Sequence, residues 1–459
     1  MGDGRTDDTA AIQAAIDAVP VRGGTIIFPP GIYVVAPTRT KRIAIRSNLR
    51  IIGSGAQSVI RIKDHNGDWS SLFSPKASDD AVENVIFEDL TFDSNILNNP
   101  ESRVDDGKEE TYQTFIYIAA GHDLHVRRCR FTPYSGVWAV SLNGKTVRDC
   151  SVTDCYFRFV MRESNPDFDN SAIYIEGTNY TLSGNRFESI PTPYHEARAC
   201  MEAHGGPAAV FSNTSVGYQT ILNIVGSYFD GGNSSDITCH DNVAKDALIG
   251  ILIWPTTPNN LKNITVANNI IEVAQLKHGT ADTGGVSVVF SYEAKGGASN
   301  ITITGNTIRF QDEGVGRSGD FFYNSAGVAL HNLGGTVGAV IEGNTIERAP
   351  SAGVMIGLPE PGKRAFQNVR VVNNTIINPG QNLGFPVEFR AGILVNSSAS
   401  HIEITGNTIT DTFPVRRCPA AIVFEPSPGN TYTDIKVKEN VITARNGALR
   451  VTLPQSAER

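Results

Sequence analysis

The sequence predicts an all-β parallel β-helix, one solenoid with a helical cap at its N-terminal end. Three observations carry this. The phrases "SNITITGNTIRF" (299–310), "AVIEGNTIER" (339–348) and "HIEITGNTITD" (401–411) repeat a pattern of alternating apolar residues closed by Gly-Asn-Thr. Related phrases recur along the chain, mostly 26–40 residues apart, and a period of this size marks stacked supersecondary units. Helical periodicity is confined to one stretch, while β-branched residues and Gly/Asn turns dominate elsewhere.

The cap comes first. In "TDDTAAIQAAIDAV" (6–19), Thr6 or Asp7 can start a helix whose apolar stripe is Ala11, Ile12, Ala15 and Ile16. "GGTIIFPPGIYVV" (23–35) reads as a strand, a Pro-Gly turn and a second strand. The predicted division is therefore a capping segment, 1–22, and a β-helix, 23–459. The repeats give about twelve coils, and one column reads Ser54, Leu90, Cys129, Cys155, Asn185, Asn242, Asn269, Asn306, Asn344, Asn374, Asn407 and Asn440. Asparagine tolerates the left-handed turn conformation and can bond its copy in the next coil, so a stacked ladder follows. The long step from Asn185 to Asn242 implies an extra or irregular turn.

Composition limits the function classes. The chain has 459 residues, 19% charged and 40% apolar, with net charge −8. It carries no basic stripe, which argues against nucleic acid, and no apolar run long enough for a membrane span. The six cysteines form no CxxC pair, so they are expected as small buried hydrophobes, and no structural zinc is expected.

"GDGRTDDTAAIQAAID" followed by "GGTIIFPPGIY" resembles the opening of the pectate-lyase-superfamily domain of polygalacturonase-like enzymes and phage tailspike depolymerases. The resemblance implies a right-handed parallel β-helix that acts on a polysaccharide, secreted or virion-associated, as a monomer or homotrimer. A short apolar strand usual ahead of the GDG is missing here, which implies a trimmed or unusual N-terminus. The polygalacturonase pattern is only echoed, in "NPD" (165–167) and "HG" (204–205), so no catalytic residue is carried over.

Function must then sit on an outward face. A second repeated strand includes "TFIYIAA" (114–120), "SGVWAVS" (135–141), "SAIYIEG" (171–177), "ACMEAHG" (199–205), "IGILIWP" (249–255), "AGVALHN" (326–332) and "AGILVNS" (391–397). Alternation turns inward Ile116/Ile118, Val137/Ala139, Ile173/Ile175, Met201/Ala203, Ile251/Ile253, Val328/Leu330 and Ile393/Val395. One outward column begins Tyr117, Trp138, Tyr174, Glu202, Leu252; its partner begins Ala119, Val140, Glu176, His204, Trp254. Ionisable and aromatic residues concentrate there, and later positions such as Ala329, Met355, Leu394 and Val423 are bland.

Glu176 should neighbour His204 directly and Glu202 diagonally, about one coil spacing away. Two carboxylates on this scale can serve as acid and base or nucleophile, with His204 shuttling a proton or orienting one of them. Tyr117, Trp138, Tyr174 and Trp254 offer flat faces to sugar rings, and Arg198 is a candidate clamp. Asp167, Asp169 and Glu196 are the alternative carboxylates and the only candidate metal ligands, for calcium if the reaction is a lyase's; otherwise no cofactor is expected. His331 with Asn332 reads as a surface pair and a weaker second site, and Tyr292 and Glu293 as a groove rim. The leading expectation is a polysaccharide hydrolase; a uronate lyase or epimerase, and a non-catalytic carbohydrate-binding spike, are the alternatives.

Overall fold

A computed structural model describes residues 2–77, 79–102, 112–160, 170–190, 197–229, 231, 233–255, 261–274, 283–288, 296–311, 325–331, 335–357, 366–415, 417–425 and 429–458. The chain divides into two compact units, Met1–Tyr218 and Gln219–Arg459.

In the first unit each coil contributes strands to parallel stacks. One stack pairs Gly31–Val35, Ser58–Ile62, Thr91–Asp93, Arg130–Tyr134, Tyr156–Phe159 and Arg186–Ser189 in succession. A second runs through Ile43–Ile45, Ser71–Pro75, Thr114–Ile118 and the openings of Trp138–Thr153 and Ser171–Ser183 to Ala197–Gly205. A third runs through Gly24–Ile27, Leu49–Ile52, Val82–Glu88 and Gly121–Arg127 into the closing halves of the same two long strands. Inside, Phe92, Phe131, Phe157 and Phe187 stack nearly parallel, with centroids 4.8–4.9 Å apart, one coil spacing.

The N-terminus differs from expectation in detail. Asp3–Asp7 is a strand paired with Gly31–Val35, so Thr6 and Asp7 belong to the sheet. The helix begins later, at Thr9–Ala18, with Asp8 as N-cap. Asp7 still serves its start, because its Oδ1 accepts the Thr9 N–H at 3.0 Å. Ile12 and Ile16 are buried, whereas Ala15 is exposed. Gln13 receives the Ala44 N–H at 2.6 Å and donates to the Ala44 carbonyl at 3.2 Å, which fastens the helix to the edge of a coil.

The second unit repeats the plan with an aliphatic interior. Ile271, Ile308, Ile346, Ile376 and Ile409 lie in register on consecutive coils. The recurrent "AG" ahead of the apolar strand has a steric cause: a Cβ on Gly353 would lie 2.5 Å from Ile376 Cγ2 and 2.8 Å from the Gly392 carbonyl oxygen. The asparagine ladder runs from Asn242 to Asn440. Each Oδ1 from Asn269 onward accepts both the backbone N–H and the amide of the preceding member at 2.9–3.0 Å. In the first unit Asn185 bonds Asn213 in the same way, so the gap after Asn185 holds a regular turn centred on Asn213. The left-handed conformation falls on the residue before the ladder position, as at Asp241, Asn268, Gly305, Asn373 and Gly406. The ladder residue itself follows that turn and serves as its hydrogen-bonding member.

All six cysteines are buried thiols outside any disulfide, and burial raises Cys150 and Cys239 to about 12.

Candidate active site

The residues predicted to point inward are buried in both units. The pairing between coils places Tyr174 beside Glu202 and Glu176 beside His204, the expected register. One coil is shifted. Ser141, not Trp138, pairs with both Tyr117 and Tyr174, and Asn143, not Val140, pairs with Glu176. Val140 and Leu142, rather than Val137 and Ala139, occupy the interior columns opposite Ile173 and Ile175. The outward grid therefore has Ser141 and Asn143 on one coil, Tyr174 and Glu176 on the next, and Glu202 and His204 on the third. Ser141 and Asn143 were missed from sequence. Ser141 Oγ and Asn143 Oδ1 are both buried and lack a hydrogen-bond partner among the described residues.

His204 Nε2 lies 3.1 Å from Glu202 Oε1, and Ser171 Oγ donates to Glu202 Oε2 at 3.4 Å. Tyr180 OH donates to the His204 carbonyl at 3.1 Å, holding the strand end. The expected solvent exposure is corrected. Glu176 is 2% and His204 0% exposed, and the Glu202 side chain retains 19%. A carboxylate so placed works in a medium of low dielectric, where its interaction with a reacting group is stronger than in water.

Aromatic residues extend from this centre. Trp138 begins its strand opposite Ser171, yet its ring reaches Tyr174 at 4.8 Å and stacks on Tyr112 at 5.3 Å. Tyr174 in turn lies 4.9 Å from the His204 ring. The strip is thus Tyr112, Trp138, Tyr174 and His204, and Tyr112 is an addition that only the fold reveals. Tyr117 is half-buried on a coil that precedes Tyr174 and Glu202 in the same column, and burial raises its phenol. Arg198 is half-buried, with its backbone N–H on Asn170 Oδ1 at 3.3 Å. Trp254 belongs to the second unit, where it packs against Leu248, Ile249 and Leu252.

Asp167, Asp169, Glu196, Tyr292, Glu293 and Asn332 lie outside the described residues. Among the described residues no cluster of three or more His, Cys, Asp or Glu side chains is arranged to hold a metal. His331 is buried, not a surface residue. The bland outward positions are also buried: Ala329, Met355, Leu394 and Val423 form an apolar cluster against which Phe389 packs. That face gains its cover from tertiary packing, so alternation alone misassigned it to solvent.

Residues 1–100 match the family model described as rhamnogalacturonase A/epimerase, pectate lyase-like, and residues 284–442 match that of the right-handed β-helix region. Alginate lyase 7 of Azotobacter vinelandii is 38% identical over 109 residues, 23% of this chain and 13% of that protein. Mannuronan C5-epimerase AlgE2 of the same organism is 37% identical over 110 residues, 23% of this chain and 11% of its own length. Among solved structures, the pre-mature gene product 12 of bacteriophage phi29 aligns with TM-score 0.72 and 15% identity, over 98% of this chain and 56% of that one. The tailspike of E. coli bacteriophage HK620, in complex with a pentasaccharide, aligns with TM-score 0.62 and 14% identity, over 96% of this chain and 75% of that one. With its stacked parallel coils and its asparagine ladder, the chain is a right-handed parallel β-helix protein whose first 100 residues match a pectate-lyase-like family model.

Proposed function

We propose that the chain is a polysaccharide-cleaving enzyme whose reacting groups are Glu176, Glu202 and His204. The observation that carries this reading is the Glu202–His204 contact at 3.1 Å beside Glu176, at the end of a strip of aromatic rings in contact. The rings would hold sugar faces. One carboxylate would protonate the glycosidic oxygen, and the other would activate water or attack the sugar carbon. His204, hydrogen-bonded through Nε2, would orient Glu202 and relay its proton. Ser141 and Asn143 would bind sugar hydroxyls on the coil before Glu176.

A second reading is lyase or epimerase action on a uronate polymer. It is favoured by the identity to an alginate lyase and to mannuronan C5-epimerases. There one of the same groups would take the proton at C5 of the sugar. Both readings suit an extracellular or virion-borne protein, monomeric or trimeric. The test is incubation with a polysaccharide panel that includes mannuronan, with reducing ends and unsaturated-uronate absorbance read together. New reducing ends without unsaturation support hydrolysis, and unsaturation supports elimination. Neither product, but inverted C5 centres in the NMR spectrum of the recovered mannuronan, supports epimerisation. Binding with no product and no inversion would favour a non-catalytic carbohydrate-binding protein and overturn the enzymatic reading.

A further inference from the structure

The strand that carries Asn143 makes an excursion its neighbour does not. Between the pairs Asn143–Glu176 and Arg148–Thr178, Trp138–Thr153 spends four intervening residues where Ser171–Ser183 spends one. The surplus, within Gly144–Val147, bulges at the corner between two faces and walls an open cavity of about 380 Å³. Gly144 permits the corner, since a Cβ there would lie 1.6 Å from the Ala119 carbonyl oxygen.

The polar lining of this cavity is His122, Lys145, Thr146, Arg148 and Thr178. Every titratable group in the lining is a base. The neighbouring carboxylates do not line it, and each has a partner. Glu83 and Asp123 flank His122 at 3.1 and 2.9 Å. Asp149 accepts from Asn179 at 2.5 Å and lies 3.9 Å from Arg148. Lys145 has no hydrogen bond or ion pair with the described residues. A chain of net charge −8 thus presents two cations and two hydroxyls to one concavity. Thr178 lies two residues beyond Glu176, about 6.6 Å along a strand, the scale of one sugar residue.

We propose that this pocket is an anion subsite, which takes a carboxylate, sulfate or phosphate group carried by the polysaccharide bound at Glu176, Glu202 and His204. The proposal rests on the reading of those three residues as the reacting centre. Lys145 supplies a point charge and Arg148 a planar fork of donors, while the threonine hydroxyls complete the shell. The subsite selects a charged polymer over a neutral one of the same shape.

The test is calorimetric titration of the wild-type protein and of the Lys145→Ala/Arg148→Ala variant. The probes are oligomannuronate, chondroitin sulfate, phosphomannan and neutral dextran, each at low and high salt. At least one acidic probe should bind more tightly than dextran. Its affinity should fall about tenfold or more in the double variant, and the salt dependence should flatten with it. The acidic probe that binds identifies the anion. Equal binding of the acidic probe to both proteins, or no acidic probe bound more tightly than dextran, would overturn the subsite. Both side chains are largely exposed, so thermal unfolding should be unchanged, a control that excludes misfolding. Glu176→Gln and Glu202→Gln, titrated in parallel, should keep acidic-probe affinity and lose turnover. If they keep turnover, the reading of the reacting centre fails and the subsite is judged by the double variant alone.

Discussion

Replacing Asn374 by alanine removes one rung from the middle of the ladder. Its Oδ1 accepts the Asn344 N–H at 3.0 Å and the Asn344 amide at 2.9 Å. Its Nδ2 donates to the carbonyls of Ile341 and Val372 at 2.8 and 3.1 Å and to Asn407 Oδ1 at 3.0 Å. Alanine strands the N–H of Asn344, a fully buried residue, in the interior. A buried donor left unmade costs about 1–3 kcal/mol. Adding the weakened carbonyl and amide contacts brings the loss to about 2–5 kcal/mol. Asn440 provides the contrast. It closes the ladder, accepts from Asn407 in the same way, and is only half-buried, so water replaces it at a cost of about 1 kcal/mol or less. Equilibrium guanidinium unfolding, followed by circular dichroism, should separate the two variants by midpoint. An Asn374→Ala variant within about 0.5 kcal/mol of wild type, or an Asn440→Ala variant equally destabilised, would refute the ladder as a stabilising device.

Other expectations can be checked with the same protein. Gly353→Ala should destabilise by about 1–3 kcal/mol by overpacking against Ile376. Gly343→Ala, which has open space but φ +63°, should cost about 1–2 kcal/mol from conformation alone; a Gly353→Ala variant as stable as wild type would contradict the crowding argument. His125 is held below its ordinary pKa, first by burial and then by Arg127. The folded state therefore resists a proton that the unfolded state accepts. Its stability is complete above pH about 6.5 and falls as pH drops through that value, levelling below the folded pKa. His125→Gln should flatten melting temperature against pH in this window, and identical profiles would sink the assignment. Trp138→Ala should raise KM roughly tenfold, about 1.4 kcal/mol, with kcat nearly unchanged; a fall in kcat at constant KM would show that the ring does not act by holding sugar.

The stacking of coils was legible because it leaves a period: β-branched alternation, a polar turn and an asparagine whose amide bonds its own copy. Asn213 escaped notice because the strand before it, Ala208–Phe211, is four residues long and opens with two alanines. The slip at Trp138 has a sharper cause. Residues 137–140 are apolar throughout, so Val137/Ala139 and Val140/Leu142 serve equally well as an inward pair. The two choices turn opposite faces of the strand to the core, and only the pairing of Ser141 with Tyr174 decides between them. The Glu176–His204 neighbourhood was readable because Ser171–Gly177 pairs with Ala199–Gly205 without a register shift, and the corner bulge lies upstream of both. Burial was not readable. Whether an outward side chain meets water depends on what packs over it, as Phe389 shows at the cluster of Met355 and Leu394.

The central claim is that Glu176 and Glu202 do the chemistry, and isosteric substitution addresses it most directly. With the polymer that the panel shows to be cleaved, initial rates of Glu176→Gln and Glu202→Gln should fall on the order of 10²–10⁴-fold. The fold should be retained, as judged by circular dichroism and cooperative melting. Most of the wild-type rate surviving in both variants would contradict the account and move the reacting groups elsewhere, first to Asp167, Asp169 and Glu196.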